Sequence, residues 1–149
     1  MRFVSEFSQK SKIIFGIVVL IIVASTIPVF FDNEIQENLT AKFIIIGINV
    51  SSLFLLYWIT NYTYYKLDNH LLVCKSGPFK KKIVIENIRK IESHDGLIVP
   101  ALWKLSLSHK GIIIHYNQFD EIYISPKDNQ KFLNELLKIN PNIIIPTDA

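Results

Sequence analysis

The chain has 149 residues, half of them hydrophobic, and a formal net charge of +3. That length leaves room for about one domain. The mild charge, without a long basic run or a DNA- or RNA-binding motif, excludes nucleic acid as the expected partner. Cys74 is the one cysteine, so an intrachain disulfide and a cysteine-based zinc site are both excluded.

Two apolar runs dominate the first sixty residues. One covers about residues 13–31. The other covers about 41–59 and is broken only by Lys42 and a few small polar residues. Each approaches the roughly 20 residues a helix needs to cross a hydrocarbon core about 30 Å thick. The first run is longer than the h-region of a signal peptide and no small-residue cleavage site follows it, so it reads as a retained span. The stretch between them carries Asp32, Glu34 and Glu37 and is short enough to force antiparallel helices. Arg2, Lys10 and Lys12 precede the first span, and Lys66, Lys75, Lys80, Lys81 and Lys82 follow the second. By the positive-inside rule both termini are expected in the cytoplasm, with the acidic loop outside a cell membrane crossed twice. Tyr57, Trp58, Tyr62, Tyr64 and Tyr65 cluster where an interfacial aromatic belt is expected, and the later ones equally suit a first strand. Pro28 sits near the outer end of span one, where a kink is tolerated.

Gly47, Asn49, Ser51 and Ser52 lie in mid-span and are candidates for intramembrane packing. The expected partner is the first span near Gly16. A homo-oligomer contact or a contact with a target membrane protein is the alternative.

From Tyr62 the pattern changes to the alternation of half-buried strands. Strands are expected at 62–67, 71–76, 79–85, 89–95, 104–109, 112–116 and 121–125. Gly77-Pro78 breaks the second from the third, and Lys110-Gly111 is expected as a tight turn. In the third strand Phe79, Lys81, Ile83 and Ile85 share one face and Lys80 and Lys82 the other. Leu105, Leu107, Ile122 and Ile124 are expected inward, Ser106 and Ser108 outward. Ser125 is the expected N-cap of a C-terminal helix, with Pro126 in its first turn and an apolar stripe of Phe132, Leu133, Leu136 and Leu137. Asn140-Pro141 ends it. The fold class is therefore a two-helix transmembrane hairpin, residues 1–60, followed by a small mainly-β domain, residues 61–149. That domain has the outline of a pleckstrin-homology (PH)-like barrel of about seven antiparallel strands with a C-terminal α-helix.

Ser76-Gly-Pro-Phe-Lys-Lys-Lys-Ile83, with Ile85, Ile88 and Ile91 following, resembles the bacterial PH-like domain of the YyaB type, a family that includes the sublancin immunity protein. Pro100-Ala-Leu, Leu105-Ser-Leu, Ile122-Tyr-Ile-Ser-Pro-Lys-Asp128, Phe132 and Asn140-Pro141 continue the pattern, so the resemblance covers roughly residues 60–143. It implies a PH-like barrel and, for function, immunity to an antimicrobial peptide at the cell membrane. It carries over no catalytic or ligand-binding residue.

Lys80, Lys81 and Lys82, with Arg89 and Lys90, form the candidate surface for anionic lipid or an acidic partner, since each basic residue near an anionic leaflet adds on the order of 1 kcal/mol. The competing reading is a solvated face whose lysines protect a sheet edge. His70, His94, His109 and His115 are scattered without metal-ligand spacing, and no nucleophile motif or phosphate-cradling glycine loop is present. No enzyme activity, metal or cofactor is expected. The expected partners are the bilayer and a membrane protein target or antimicrobial peptide. A membrane-docked adaptor or an anionic-lipid module is the alternative. Trp103 is expected in the core or at its rim, and Leu97, Ile98, Val99 and Leu102 make the loop before it apolar.

Overall fold

The computed structural model describes residues 1–32, 38–96, 98–99, 101 and 103–146. The expectations at Glu34, Glu37, Leu97, Pro100 and Leu102 lie outside the described residues. The elements are β1 (Arg2–Val4), α1 (Gln9–Ala24), α2 (Pro28–Phe31), α3 (Leu39–Asn61), β2 (Thr63–Leu67), β3 (Leu71–Ser76), β4 (Phe79–Val84), a 3-10 turn (Ile85–Asn87), β5 (Ile88–Asp95), β6 (Trp103–Lys104), β7 (Lys110–Tyr116), β8 (Asp120–Ile124) and α4 (Asn129–Ile139).

Helices α1 and α3 are apolar on every side, and neither buries a residue within the protein. Helices hydrophobic all round belong in a large core or a bilayer, and here no core covers them. The segments Gln9–Phe31 and Leu39–Asn61, 23 residues each, are long and apolar enough to cross a membrane. At 1.5 Å per residue each reaches about 35 Å. Ser8 caps α1 by accepting from Ser11 N, and Asn38 caps α3 by accepting from Ala41 N. Before Pro28 the hydroxyls of Ser25 and Thr26 donate back to Ile22 O and Val23 O. The helix breaks there and restarts with Pro28 in its first turn, where the missing N–H costs nothing.

The β domain is two four-stranded sheets, in the orders β1-β2-β3-β4 and β5-β7-β8-β6. β3 coincides with its expected range, and β2, β4, β5, β7 and β8 begin or end within two residues of theirs. β1 departs from the expected hairpin boundary. Arg2–Val4 pairs antiparallel with β2, Phe3 opposite Tyr65. The helical hairpin is thus inserted between two neighbouring strands of one sheet. Three residues are too few for an alternating signal, and the partner strand lies about sixty residues away.

Two further details differ. The segment expected as a strand over 104–109 narrows to β6, which runs parallel to β8. Lys110 and Gly111 are not a turn but part of β7, opposite Asp95 and His94. Glycine is needed at 111 for close approach: a Cβ there would overlap the Ile124 carbonyl oxygen and lie 2.8 Å from the Tyr123 hydroxyl. Glycine inside a strand marks such crossings.

The two sheets enclose Tyr65, Leu72, Cys74, Ile83, Ile85, Ile91, Ile112, Ile114, Ile122 and Ile124, and α4 closes one end of this core with Phe132 and Leu136. Leu133 and Leu137 pack half-buried beside them. The ring of Phe3 meets that of Phe132 edge-on at 5.2 Å, so β1 contributes to the core as well as to the sheet. The N-cap of α4 is Asp128, which accepts from Lys131 N at 3.1 Å, and not Ser125, whose hydroxyl is engaged elsewhere. After α4, Asn140 donates to Ile85 O and Ile88 O. Ile144 then bridges in parallel to Lys90 on the outer edge of β5.

Candidate functional site

The first feature of the site is the junction between hairpin and domain. Ser5, just after β1, places its hydroxyl 3.0 Å from that of Ser125 and 3.1 Å from that of Tyr65. The Tyr65 hydroxyl also lies 2.6 Å from Leu105 O and accepts from Ser125 N at 3.1 Å. Ser106 donates to Ser125 at 2.7 Å. Ser106 and Ser108 were expected outward; Ser106 instead joins this knot, and Ser108 is buried with its hydroxyl accepting from Lys110 N at 3.2 Å. Burial pushes the Tyr65 phenol well above its ordinary value, so it remains a neutral donor. Burial likewise pushes the Cys74 thiol up, which leaves it an unreactive core residue.

Three more contacts fasten the bases of the helices. Ser8, the cap of α1, lies 3.0 Å from His109 Nδ1. Thr63 donates to Ile59 O at 2.6 Å across the α3–β2 junction. Gly77 adopts φ +54 with Ile59 against it, where a Cβ would meet Ile59 Cγ1 at 2.9 Å. The turn between β3 and β4 is therefore seated on the last turn of α3. Tyr65→Phe is expected to lower domain stability by about 1–3 kcal/mol, since it strands buried hydrogen-bonding groups. A thermal melt of the purified protein measures this, and an unchanged midpoint would mean that the knot is not a fastening.

The second feature is the outer face of the first sheet. The register sets Val4, Tyr64, Lys75 and Lys80 in one row and Arg2, Lys66, Val73 and Lys82 in the next. Five cations from all four strands thus share one face. Arg2 lies 4.0 Å over the Tyr64 ring, and Lys75 Nζ is 5.9 Å from the same ring. The carboxylate beside them is Asp68, 3.7 Å from Lys66. Both groups are more than half exposed, so the pair contributes little. Two of the cross-strand pairs, Arg2 with Lys66 and Lys75 with Lys80, join like charges directly opposite, which destabilises a sheet. Such a face is suited to an anionic counterpart.

Of the basic residues singled out in the sequence, Lys80 and Lys82 are on this face. Lys81 is not: it points inward in the row Phe3–Tyr65–Cys74–Lys81, and its ammonium sits 5.3 Å from the ring of Trp103 and 6.0 Å from that of Tyr116 at the sheet edge. Trp103 is a rim residue, 41% exposed. Burial raises the Tyr116 hydroxyl's pKa while Lys81 opposes the shift. Arg89 and Lys90 belong to the other sheet, where Arg89 donates to Gln118 O and Lys90 pairs with Glu92. The Lys90 hydrogen bond, then that of His115, holds the Glu92 carboxyl below its usual range. Arg2, Lys66 and Lys75 were not grouped with Lys80 and Lys82 from the sequence, yet they stand on the same face. The signal for Lys66 and Lys75 is their strand parity, but Arg2 joins them only through the β1–β2 pairing.

Within the hairpin, Asn49 meets the first helix at Ser25 rather than near Gly16. The two side chains lie 3.2 Å apart, Asn49 through Oδ1. With antiparallel helices, Ser25 opposite Asn49 brings Gly16 level with about Trp58, and Gly16 shares a crevice with Leu56, Tyr57 and Thr60. Ser52 donates to Ile48 O of its own helix. Gly47 and Ser51 face outward, and no atom lies within 4 Å of a Cβ position at Gly47. Tyr57, Trp58 and Tyr62 are exposed around the end of α3, whereas Tyr64 and Tyr65 are strand residues. Among the described residues no three His, Cys, Asp or Glu side chains converge as metal ligands. A hydroxyl and an imidazole do lie within reach at the hairpin junction, Ser8 Oγ 3.0 Å from His109 Nδ1, with His109 Nε2 3.8 Å from Asp95 Oδ1.

Comparison with known proteins follows the same lines. A curated relative, the uncharacterized protein YyaB of Bacillus subtilis (strain 168), is 34% identical over 89 residues, 57% of this chain. The chain spans 58% of that relative's length. No solved structure matches the chain. The family described as Bacterial PH domain matches residues 63–140, which run from β2 through α4. The chain belongs to the bacterial PH domain family.

Proposed function

We propose that this is a non-enzymatic protein of the cell membrane that confers immunity to a sublancin-like antimicrobial peptide. In this reading α1 and α3 cross the bilayer, both chain ends are cytoplasmic, and the PH-like domain is held in one orientation against the inner leaflet. The observation that carries the reading is the insertion of the hairpin between β1 and β2. A simple anchor would need one flexible tether. Here two adjacent strands enter the two helices, and the Ser8–His109 and Ile59–Gly77 contacts stiffen both junctions. Such a build transmits position between hairpin and domain, as a protein must if it masks a membrane target from a peptide. The family resemblance supplies the immunity role.

The basic sheet face favours a second reading, a membrane-docked module whose partner is an anionic lipid surface or an acidic protein segment. Expression of the full chain in a peptide-sensitive strain separates the two. Immunity is expected to raise the tolerated concentration of a sublancin-like peptide at least several-fold. Reversing Arg2, Lys66, Lys75, Lys80 and Lys82 to Glu, with membrane fractionation to confirm retained localisation, then asks whether the face takes part. No protection by the unmodified chain against a panel of such peptides would sink the immunity reading. Protection unaffected by the five reversals would remove the face from it.

A further inference from the structure

We propose that the crevice between α1 and α3, at the domain end of the hairpin, binds one anionic phospholipid. This rests on the reading that the two helices cross a bilayer. The helices are tied in their outer half by the Ser25–Asn49 contact, and at their inner ends they must diverge from the spacing of two neighbouring strands to that of two packed helices. Adjacent strands lie about 4.8 Å apart and packed helices 8–10 Å. Between the inner halves of the two helices lies a crevice of about 350 Å³, lined by Phe15, Gly16 and Val19 on one side and Leu53 and Tyr57 on the other, with Lys12 at its mouth. Gly16 lines the crevice, unlike Gly47, and its missing side chain leaves that stretch of wall open.

The shape and chemistry of this space match a lipid. From Lys12 to Val19 is seven residues of helix, roughly 10 Å at 1.5 Å per residue, which is the outer part of an acyl chain running from the interface toward the bilayer centre. Walls of Phe, Val and Leu that face a void forfeit their dispersion contacts, and a chain lying in the crevice restores them. Lys12 supplies the selectivity. It lies in the first turns of α1, at the height where the headgroup phosphate of such a lipid sits. Its ammonium lies 5.9 Å from the ring of Phe7, and among the described residues it has no carboxylate partner. A zwitterionic headgroup brings its own cation and gains less from this lysine. One lysine near anionic headgroups corresponds to roughly a five-fold preference.

Native mass spectrometry of the full chain, released from membranes and offered equal amounts of phosphatidylglycerol and phosphatidylcholine, reads the proposal directly. One phosphatidylglycerol per chain is expected to be retained, about five-fold over phosphatidylcholine. Lys12→Gln is expected to bring the preference to near unity with a lipid still bound, and Gly16→Leu to expel the lipid by filling the notch. Gly47→Leu, on the outward face of α3, is the control and keeps it. No stoichiometric lipid, an equal preference in the unmodified chain, or full retention by Gly16→Leu overturns the site. Flotation with vesicles distinguishes the underlying reading: a chain that floats but selects no lipid refutes this proposal alone, and one that does not float refutes both.

Discussion

A chain in which residues 7–61 are replaced by a linker of about four residues is expected to fold as a soluble β domain, whereas a fragment beginning at Tyr62 is expected not to. The reason is β1. Ser5 N donates to Thr63 O at 3.3 Å, so the ends left by excising the hairpin lie side by side, and a short β-hairpin loop joins them. The fragment from Tyr62 lacks Phe3, which is 7% exposed and packs on Phe132. Burying such a side chain contributes about 1.5–3 kcal/mol. The fragment also lacks the Ser5 hydroxyl, which costs the Tyr65 knot about 1–3 kcal/mol, and it exposes β2 as an unprotected edge open to aggregation. Against the 5–15 kcal/mol that stabilises a typical domain, and near the low end for one this small, these losses are decisive. Dispersed amide NMR spectra and a cooperative melt for the excised chain, with neither for the fragment, are the expected pair of results. A fragment that melts within about 5 °C of the excised chain would show that β1 is dispensable.

Gly111→Ala is expected to be the most damaging single methyl addition in the domain. Its Cβ would overlap Ile124 O and press on the buried ring of Tyr123, and backbone cannot step aside as a flexible side-chain tip can. Overpacking costs typically 1–3 kcal/mol, and this site falls at the upper end, so a Tm loss on the order of 10 °C follows for a domain of this size. The phenol of Tyr123 offers a second measurement. Burial pushes it up to about 12, and loosening β7 from β8 would bring its ultraviolet titration back toward the ordinary tyrosine value. Gly47→Ala, with open space around it, is expected to be neutral or slightly stabilising through helix propensity. Equal melts for Gly111→Ala and the unmodified chain would contradict the close crossing.

Most of the β domain was legible because its signals are local. Alternation marks β2 through β5, β7 and β8, and the stripe of Phe132, Leu133, Leu136 and Leu137 marks α4. Alternation also set Lys81 apart from Lys80 and Lys82, although the triplet read as one basic cluster. Where the expectation failed, a non-local contact had overruled a local preference. Ser125 has the chemistry of an N-cap, but its hydroxyl is drawn into the knot with Ser5, Tyr65 and Ser106. Lys110-Gly111 has the composition of a turn, but the glycine serves the crossing of β7 and β8. Asn49 was expected to pack near Gly16, and the antiparallel register instead sets its Oδ1 3.2 Å from the Ser25 hydroxyl.

By itself the sequence determined that two long apolar helices come first, that a small mainly-β domain with a C-terminal helix follows and that lysine is concentrated near their boundary. Periodicity and composition are properties of neighbours along the chain, and they are legible without a fold. Tertiary structure alone decided that residues 2–4 leave the hairpin for the sheet, that Arg2, Lys66 and Lys75 join Lys80 and Lys82 on one face, and that a crevice opens beside Gly16. Each of these depends on which segments become neighbours across a long separation. Core burial, strand register and close packing set that choice, and no short window of sequence contains it.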